Sequence, residues 1–249
     1  IQDQAVAKAY THEFNEMWGG DTDEPNFFGA RFASQKSDDT PHQFKVGESM
    51  VEVYFSPSDN TSNAIERSVR SADDQLMLAL LTFTYNSLGT AVVDEFYEGT
   101  DVRVILDNNR DQGTEYDYIE RNNVNIIVDA SAQVQLHHKY GIVDPNDSDP
   151  QVITGSHNWS NSAETRNDEN CIIIHDEDIA NIFQQEFEKR WTESTTALPY
   201  VDDLEGISIS VYPIPSDGAV NIHINSSHDI DIDGYLYDLS GNLIQTISE

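Results

Sequence analysis

The chain has 249 residues, 38% of them hydrophobic, with 45 acidic against 13 basic residues and a formal net charge of −32. That length and apolar content suffice for a buried core in one large or two smaller domains, and exceed what a disordered chain carries. No stretch is apolar for long enough to span a bilayer as a helix, and so acidic a surface repels nucleic acid and anionic membrane at long range, screened by salt.

Ile1, with neither Met nor a signal pattern around it, reads as a processed or truncated N-terminus. Residues 4–18, QAVAKAYTHEFNEMW, place Val6, Tyr10, Phe14 and Met17 or Trp18 at helical spacing, and Gly19-Gly20 end the helix. Residues 21–47 are rich in Gly, Asp, Ser and Pro and read as a connector. From there strands and helices alternate. MVEVYF (50–55) is a strand, NTSNAIERSVRSA a helix, QLMLALLTF a buried strand, SLGTAVVDEFYEG a helix closed by Gly99. VRVILD, a short helix TEYDYIERN, and VNIIVD follow. KYGIVD (139–144) and QVITG (151–155) are strands around the loop PNDSDP, ENCIIIH (169–175) is a further strand, and EDIANIFQQEFEKRW (177–191) is an amphipathic helix. This order predicts an α/β fold, a mixed sheet with helices on both faces.

The last helix can be laid over the first. VAKAYTHEFNEMW and IANIFQQEFEKRW share a hydrophobic-Ala start, an aromatic four positions on, Glu-Phe and a closing Trp. The match suggests that residues 1–20 are the last helix of a preceding repeat. After Trp191 the composition changes: 193–206 read as a linker, and 207–249 as a small β module of alternating segments with turns at Pro-Ser-Asp-Gly and Ser-Gly-Asn. The single cysteine, Cys171, sits in a buried strand and reads as a packed thiol. The histidines show no metal-ligand spacing with each other, and no metal or cofactor is expected.

Chemistry concentrates in QLHHKYGIVD (135–144). On a strand, residues i and i+2 share a face, so His137 and Lys139 point one way and His138 the other. An ammonium beside an imidazole is an anion receptor with a nucleophile or proton donor built in. Downstream, in TGSHNWSNSAETRNDEN, Ser156 and Asn158 repeat the i, i+2 spacing and offer a hydroxyl and an amide to phosphate oxygens. Glu169 supplies a carboxylate able to hold a histidine's second ring nitrogen. His157 and Trp159, on the opposite face, read as core.

The order His-x-Lys-x4-Asp, Gly-Ser-x-Asn, Asn-x-Glu resembles the phospholipase D superfamily over roughly residues 48–192, and most of all its single-motif bacterial endonucleases and mitochondrial cardiolipin hydrolases. The resemblance implies metal-independent hydrolysis of a phosphodiester, in phospholipid or nucleic acid, through a phosphohistidine. His137 would be the nucleophile or general acid, and Lys139, Ser156 and Asn158 would bind phosphate. Glu169 would orient a histidine, and Asp144 would complete the catalytic motif through structural pairing. Two such motifs meet at one active site, so a second is expected from an upstream repeat or a homodimer partner. The alternative is a non-catalytic phosphate-binding surface protein that retains the motif. Within 207–249, VYPIPSDGAVNI and GYLYDLSGNLIQT resemble part of a type IX secretion sorting domain, which implies that this machinery is a partner and that the protein is secreted or held at the cell surface.

Overall fold

The computed structural model describes residues 2–129 and 135–196, together with four strands of the C-terminal segment. The first helix, α1 (Gln4–Trp18), begins where the Asp3 carboxylate accepts from the backbone N–H groups of Ala5 and Val6, and ends at Gly19, whose φ of 91° suits glycine. The connector that follows holds a short strand, β1 (Gln43–Val46), paired antiparallel with β2 (Ser49–Ser56). Four residues of alternation next to Gly47 are too brief to stand out from loop in sequence.

The remaining elements follow the alternation read from sequence. They are α2 (Thr61–Val69), β3 (Gln75–Leu80), α3 (Asn86–Glu98), β4 (Asp101–Leu106), α4 (Tyr116–Arg121), β5 (Asn125–Val128), β6 (Lys139–Val143), β7 (Gln151–Gly155), α5 (Asn161–Thr165), β8 (Glu169–His175) and α6 (Glu177–Thr196). They build one eight-stranded sheet in the order β1-β2-β8-β7-β6-β3-β4-β5. Only β3-β4 and β4-β5 are parallel, so the sheet is mixed, as expected.

Both faces are covered. Central β3 sends Leu76, Leu78 and Leu80 into one core, with Ala64, Ile65 and Val69 of α2 and Leu88 and Val92 of α3. Met77 and Ala79 enter a second core with Ala180 and Phe187 of α6. A third cluster joins Val6 and Ala9 of α1 to Val51, Val53 and Phe55 of β2. Burial of this kind contributes roughly 25 cal/mol per Å² of apolar surface, which is why β3, apolar from Leu76 to Leu80, lies inside the sheet.

The two helices that match in sequence present different faces. Phe187 of α6 is fully buried, whereas its counterpart Phe14 in α1 is 52% exposed and stacks on Trp18 at 5.3 Å. Instead, α1 buries Val6, Ala9 and Glu13.

Residues 197–249 form a separate unit. Its strands β9 (Ile207–Tyr212) and β10 (Asn221–Ser226) pair antiparallel, as do β11 (Asp233–Tyr237) and β12 (Leu243–Ser248). The turns that carry the sorting-domain resemblance lie outside the described residues.

Candidate active site

Antiparallel neighbours place the start of one strand beside the end of the next. At one edge of the sheet this brings together the start of β6, the end of β7 and the start of β8. His137, Lys139, Gly155, Ser156, Asn158 and Glu169 line one open cleft there, of about 540 Å³.

Each side chain is held by its element. The approach to β6 is fixed by Asp107, whose Oδ1 accepts from Leu136 N at 2.7 Å, and by His138 O, which accepts from Leu81 N at 2.7 Å. His137 is exposed, and its Nδ1 lies 3.5 Å from Lys139 Nζ. His138 turns to the other face, 5.4 Å from the Tyr140 ring and 3.3 Å from Glu186 of α6.

Lys139 is the positive charge of the cleft. Partial burial pushes its ammonium pKa down, and the Glu169 carboxylate works against that shift. Among the described residues Lys139 has no carboxylate within 4 Å, whereas Arg67, Arg70, Arg103 and Arg190 are all taken up by Glu or Asp.

Gly155 ends β7 with a φ of 143°, and a Cβ there would lie 2.3 Å from Asn170 O. Glycine is needed there for the close approach to the neighbouring strand. The tight approach lets Ser156 N and His157 N both donate to Asn170 O, at 3.0 and 3.2 Å. Ser156 Oγ accepts from Asn170 N at 3.0 Å and Asn170 Nδ2 at 3.3 Å, so its one proton is free for the cleft. Asn158 Oδ1 is buried with no hydrogen-bond partner, an acceptor that costs about 1–3 kcal/mol until a donor answers it, so only its Nδ2 could meet a phosphate oxygen. Glu169 accepts from Asn167 Nδ2 at 3.2 Å and lies more than 4 Å from the His137 ring nitrogens.

Asp144 does not join the cleft. It lies at the opposite end of β6, roughly 16 Å from Lys139 at about 3.3 Å per residue. Its carboxylate accepts from the backbone N–H groups of Asp73, Asp74 and Gln75 at 2.7–2.8 Å. Grouping it with the catalytic residues is corrected: it ties β6 to the start of β3 and cannot reach the cleft. His157 is 3% and Trp159 1% exposed, both core residues. Cys171 is buried, which pushes its thiol up to about 12.

Sequence spacing missed two contributors, Asn170 and Tyr10. Asn170 was legible only as part of an Asn-x-Glu-Asn run, and nothing local links Tyr10 to it. It also missed the proximity of Asp38, His42 and Asp59, whose potential ligand atoms lie within 4.8 Å of one another. Protein partners already occupy them: His42 Nδ1 meets Val53 O at 2.9 Å, and Asp59 accepts from Phe55 N.

Residues 65–191, about half of the chain, match the family described as cardiolipin synthase, PLD-like domain. The chain belongs to this phospholipase D-like family. It is 32% identical over 143 residues to the mitochondrial cardiolipin hydrolase of Mus musculus, covering 55% of this chain and 60% of that protein. It is 26% identical to a phospholipase D of Rickettsia conorii, over 59% of this chain and 72% of the other. The crystal structure of Nuc from Salmonella typhimurium, a phospholipase D family member, superposes with a TM-score of 0.52 and 28% identity, covering 58% of this chain and 95% of Nuc. The chain thus spans little more than half the length of the mouse relative.

Proposed function

We propose that the protein is a metal-independent phosphodiesterase that works through a phosphohistidine. The cleft that joins His137, the Lys139 ammonium and a Ser156 hydroxyl whose proton is unspent carries this reading. A phosphodiester anion would sit on Lys139, Ser156 and Asn158. A ring nitrogen of one histidine attacks phosphorus and the P–O bond to the leaving alkoxide breaks. A second histidine gives that alkoxide its proton, then takes a proton from water, which attacks the phosphohistidine and releases the monoester.

Among the described residues one histidine lines the cleft, so the second comes from another motif, on an upstream repeat or a homodimer partner. With an upstream copy, family order makes His137 the acid/base; in a homodimer, His137 of either subunit can attack. Light scattering separates the cases, since a monomer that turns over substrate rules out the homodimer.

Substrates are phospholipid or nucleic acid, with the net charge disfavouring the latter away from Lys139. Parallel assays on phosphatidylcholine, cardiolipin and single- and double-stranded DNA in chelator decide the class. His137→Ala abolishes turnover, whereas His138→Ala spares most of it. Equal loss in two folded variants would sink the assignment. Absence of turnover on all four substrates with retained phosphate binding would leave a phosphate-binding protein instead. The sorting-domain resemblance further supports export to the medium or cell surface; fractionation of expressing cells that finds the protein only inside would refute it.

A further inference from the structure

The serine of the cleft is supported by a helix outside the matched family segment. Ser156 Oγ accepts from Asn170 Nδ2, and Asn170 Oδ1 in turn accepts from the Tyr10 hydroxyl on α1 at 3.2 Å. The Tyr10 ring is held edge-on against Phe55, with centroids 5.0 Å apart and planes at 88°, so its position does not depend on the hydroxyl. At the matching position of α6 stands Phe183, packed on Tyr140 at 5.2 Å. Aromatic packing at this helix position therefore needs no oxygen, and the one on Tyr10 calls for another explanation.

The direction of the Asn170 amide decides what Ser156 can do. A hydroxyl has one proton to give. With Nδ2 towards Ser156, Oγ accepts and its proton is left for a phosphate oxygen. With the amide reversed, Oδ1 would take that proton and the cleft would lose a donor. A phenol donates better than it accepts, so it draws Oδ1 towards itself and Nδ2 towards Ser156. Burial raises the Tyr10 pKa, so the phenol keeps its proton at neutral pH.

We infer that Tyr10, acting through Asn170, aims the Ser156 hydroxyl into the cleft and makes it a donor to the substrate phosphate. Tyr10 is a positioning residue, and the inference rests on the reading of the cleft as a phosphate site.

Wild type, Tyr10→Phe, Ser156→Ala and the double variant are compared for affinity to inorganic phosphate by calorimetry. KM and kcat are measured with bis(4-nitrophenyl) phosphate in chelator. Loss of one hydrogen bond to an anion predicts about tenfold weaker phosphate binding and a similar rise in KM for each single variant. The double variant is no worse than Ser156→Ala alone, and the thermal midpoint of Tyr10→Phe stays close to wild type. Asn170→Leu, which removes the link, abolishes the effect of Tyr10→Phe, so that Tyr10→Phe combined with Asn170→Leu binds phosphate no worse than Asn170→Leu alone. If Ser156→Ala weakens binding but Tyr10→Phe does not, or adds its full factor on top, the inference is overturned and the cleft reading stands. If Ser156→Ala leaves phosphate binding unchanged, the cleft reading of Ser156 fails, and this inference with it.

Discussion

Gly155 shows how one residue shapes the cleft. Its φ of 143° and the Asn170 carbonyl 2.3 Å from a would-be Cβ mean that any side chain must push β7 from β8. Ser156 is bonded to that same strand, so it would move too. Gly155→Ala is expected to cost about 1–3 kcal/mol in urea unfolding and to weaken phosphate binding. A variant with unchanged stability and affinity would show that the strands tolerate the shift. Asp144 is the converse case, a motif residue whose work is structural, with three backbone donors to satisfy at the far end of its strand.

At the scale of elements, α1 and the connector are clamped to the cleft side of the sheet by one buried cation. The Lys36 side chain is fully buried. Its Nζ donates to Glu13 of α1 and, at 2.7 Å, to Ser56 O at the end of β2. It also lies 3.4 Å from Asp168, which accepts from Ala33 N and precedes Glu169. Burial pushes the Glu13 carboxyl up while its bond to Lys36 pulls it down. Removing one partner of a buried pair strands the other's charge, so Lys36→Met is expected to cost about 3–5 kcal/mol. Lys36→Met combined with Glu13→Leu should recover most of that loss. Equal unfolding free energies for the single and double variants would mean that the pair is not the clamp. Only part of the apolar stripe read from sequence in α1 is buried: packing on β2 takes Val6, with Ala9 beside it, and leaves Phe14 half exposed.

For the whole molecule, two sets of acids oppose each other. Burial pushes up the carboxyls of Asp59, Glu115 and Glu95, the last to about 7 with Glu98 adding to the shift. Glu52 is held down at about 2: burial raises it, but bonds from His175 and Tyr54 and the charge of Arg67 outweigh that. A raised carboxyl binds its proton more tightly when folded. That contribution is complete below the unfolded value near 4.5 and is lost as pH rises towards about 7. The Glu52 contribution is present above 4.5 and is lost as pH falls towards about 2. Self-repulsion at a net charge of −32 adds to the alkaline loss. The unfolding midpoint should therefore peak at about pH 5 and fall on both sides. Glu95→Gln should raise the midpoint at pH 8 and leave it unchanged at pH 4.5; a variant that gains nothing at pH 8 would show that burial of this carboxylate carries no cost.

The alternation of strand and helix follows from periodicity between neighbours in the chain, which sequence displays directly, whereas His137, His138, Ser156 and Asn158 lie just beyond the ends of β6 and β7, where strand alternation no longer dictates the face. Sheet order does not follow from that periodicity either. The meeting of residues 137–139, 155–158 and 169 depends on β6, β7 and β8 lying side by side with alternating direction. The banishment of Asp144 to the far edge follows from the length of β6. The link from Tyr10 to Asn170 spans 160 positions and arises only because α1 covers β2. Local pattern is set by backbone geometry over a few residues, whereas these contacts are set by which distant apolar faces bury one another.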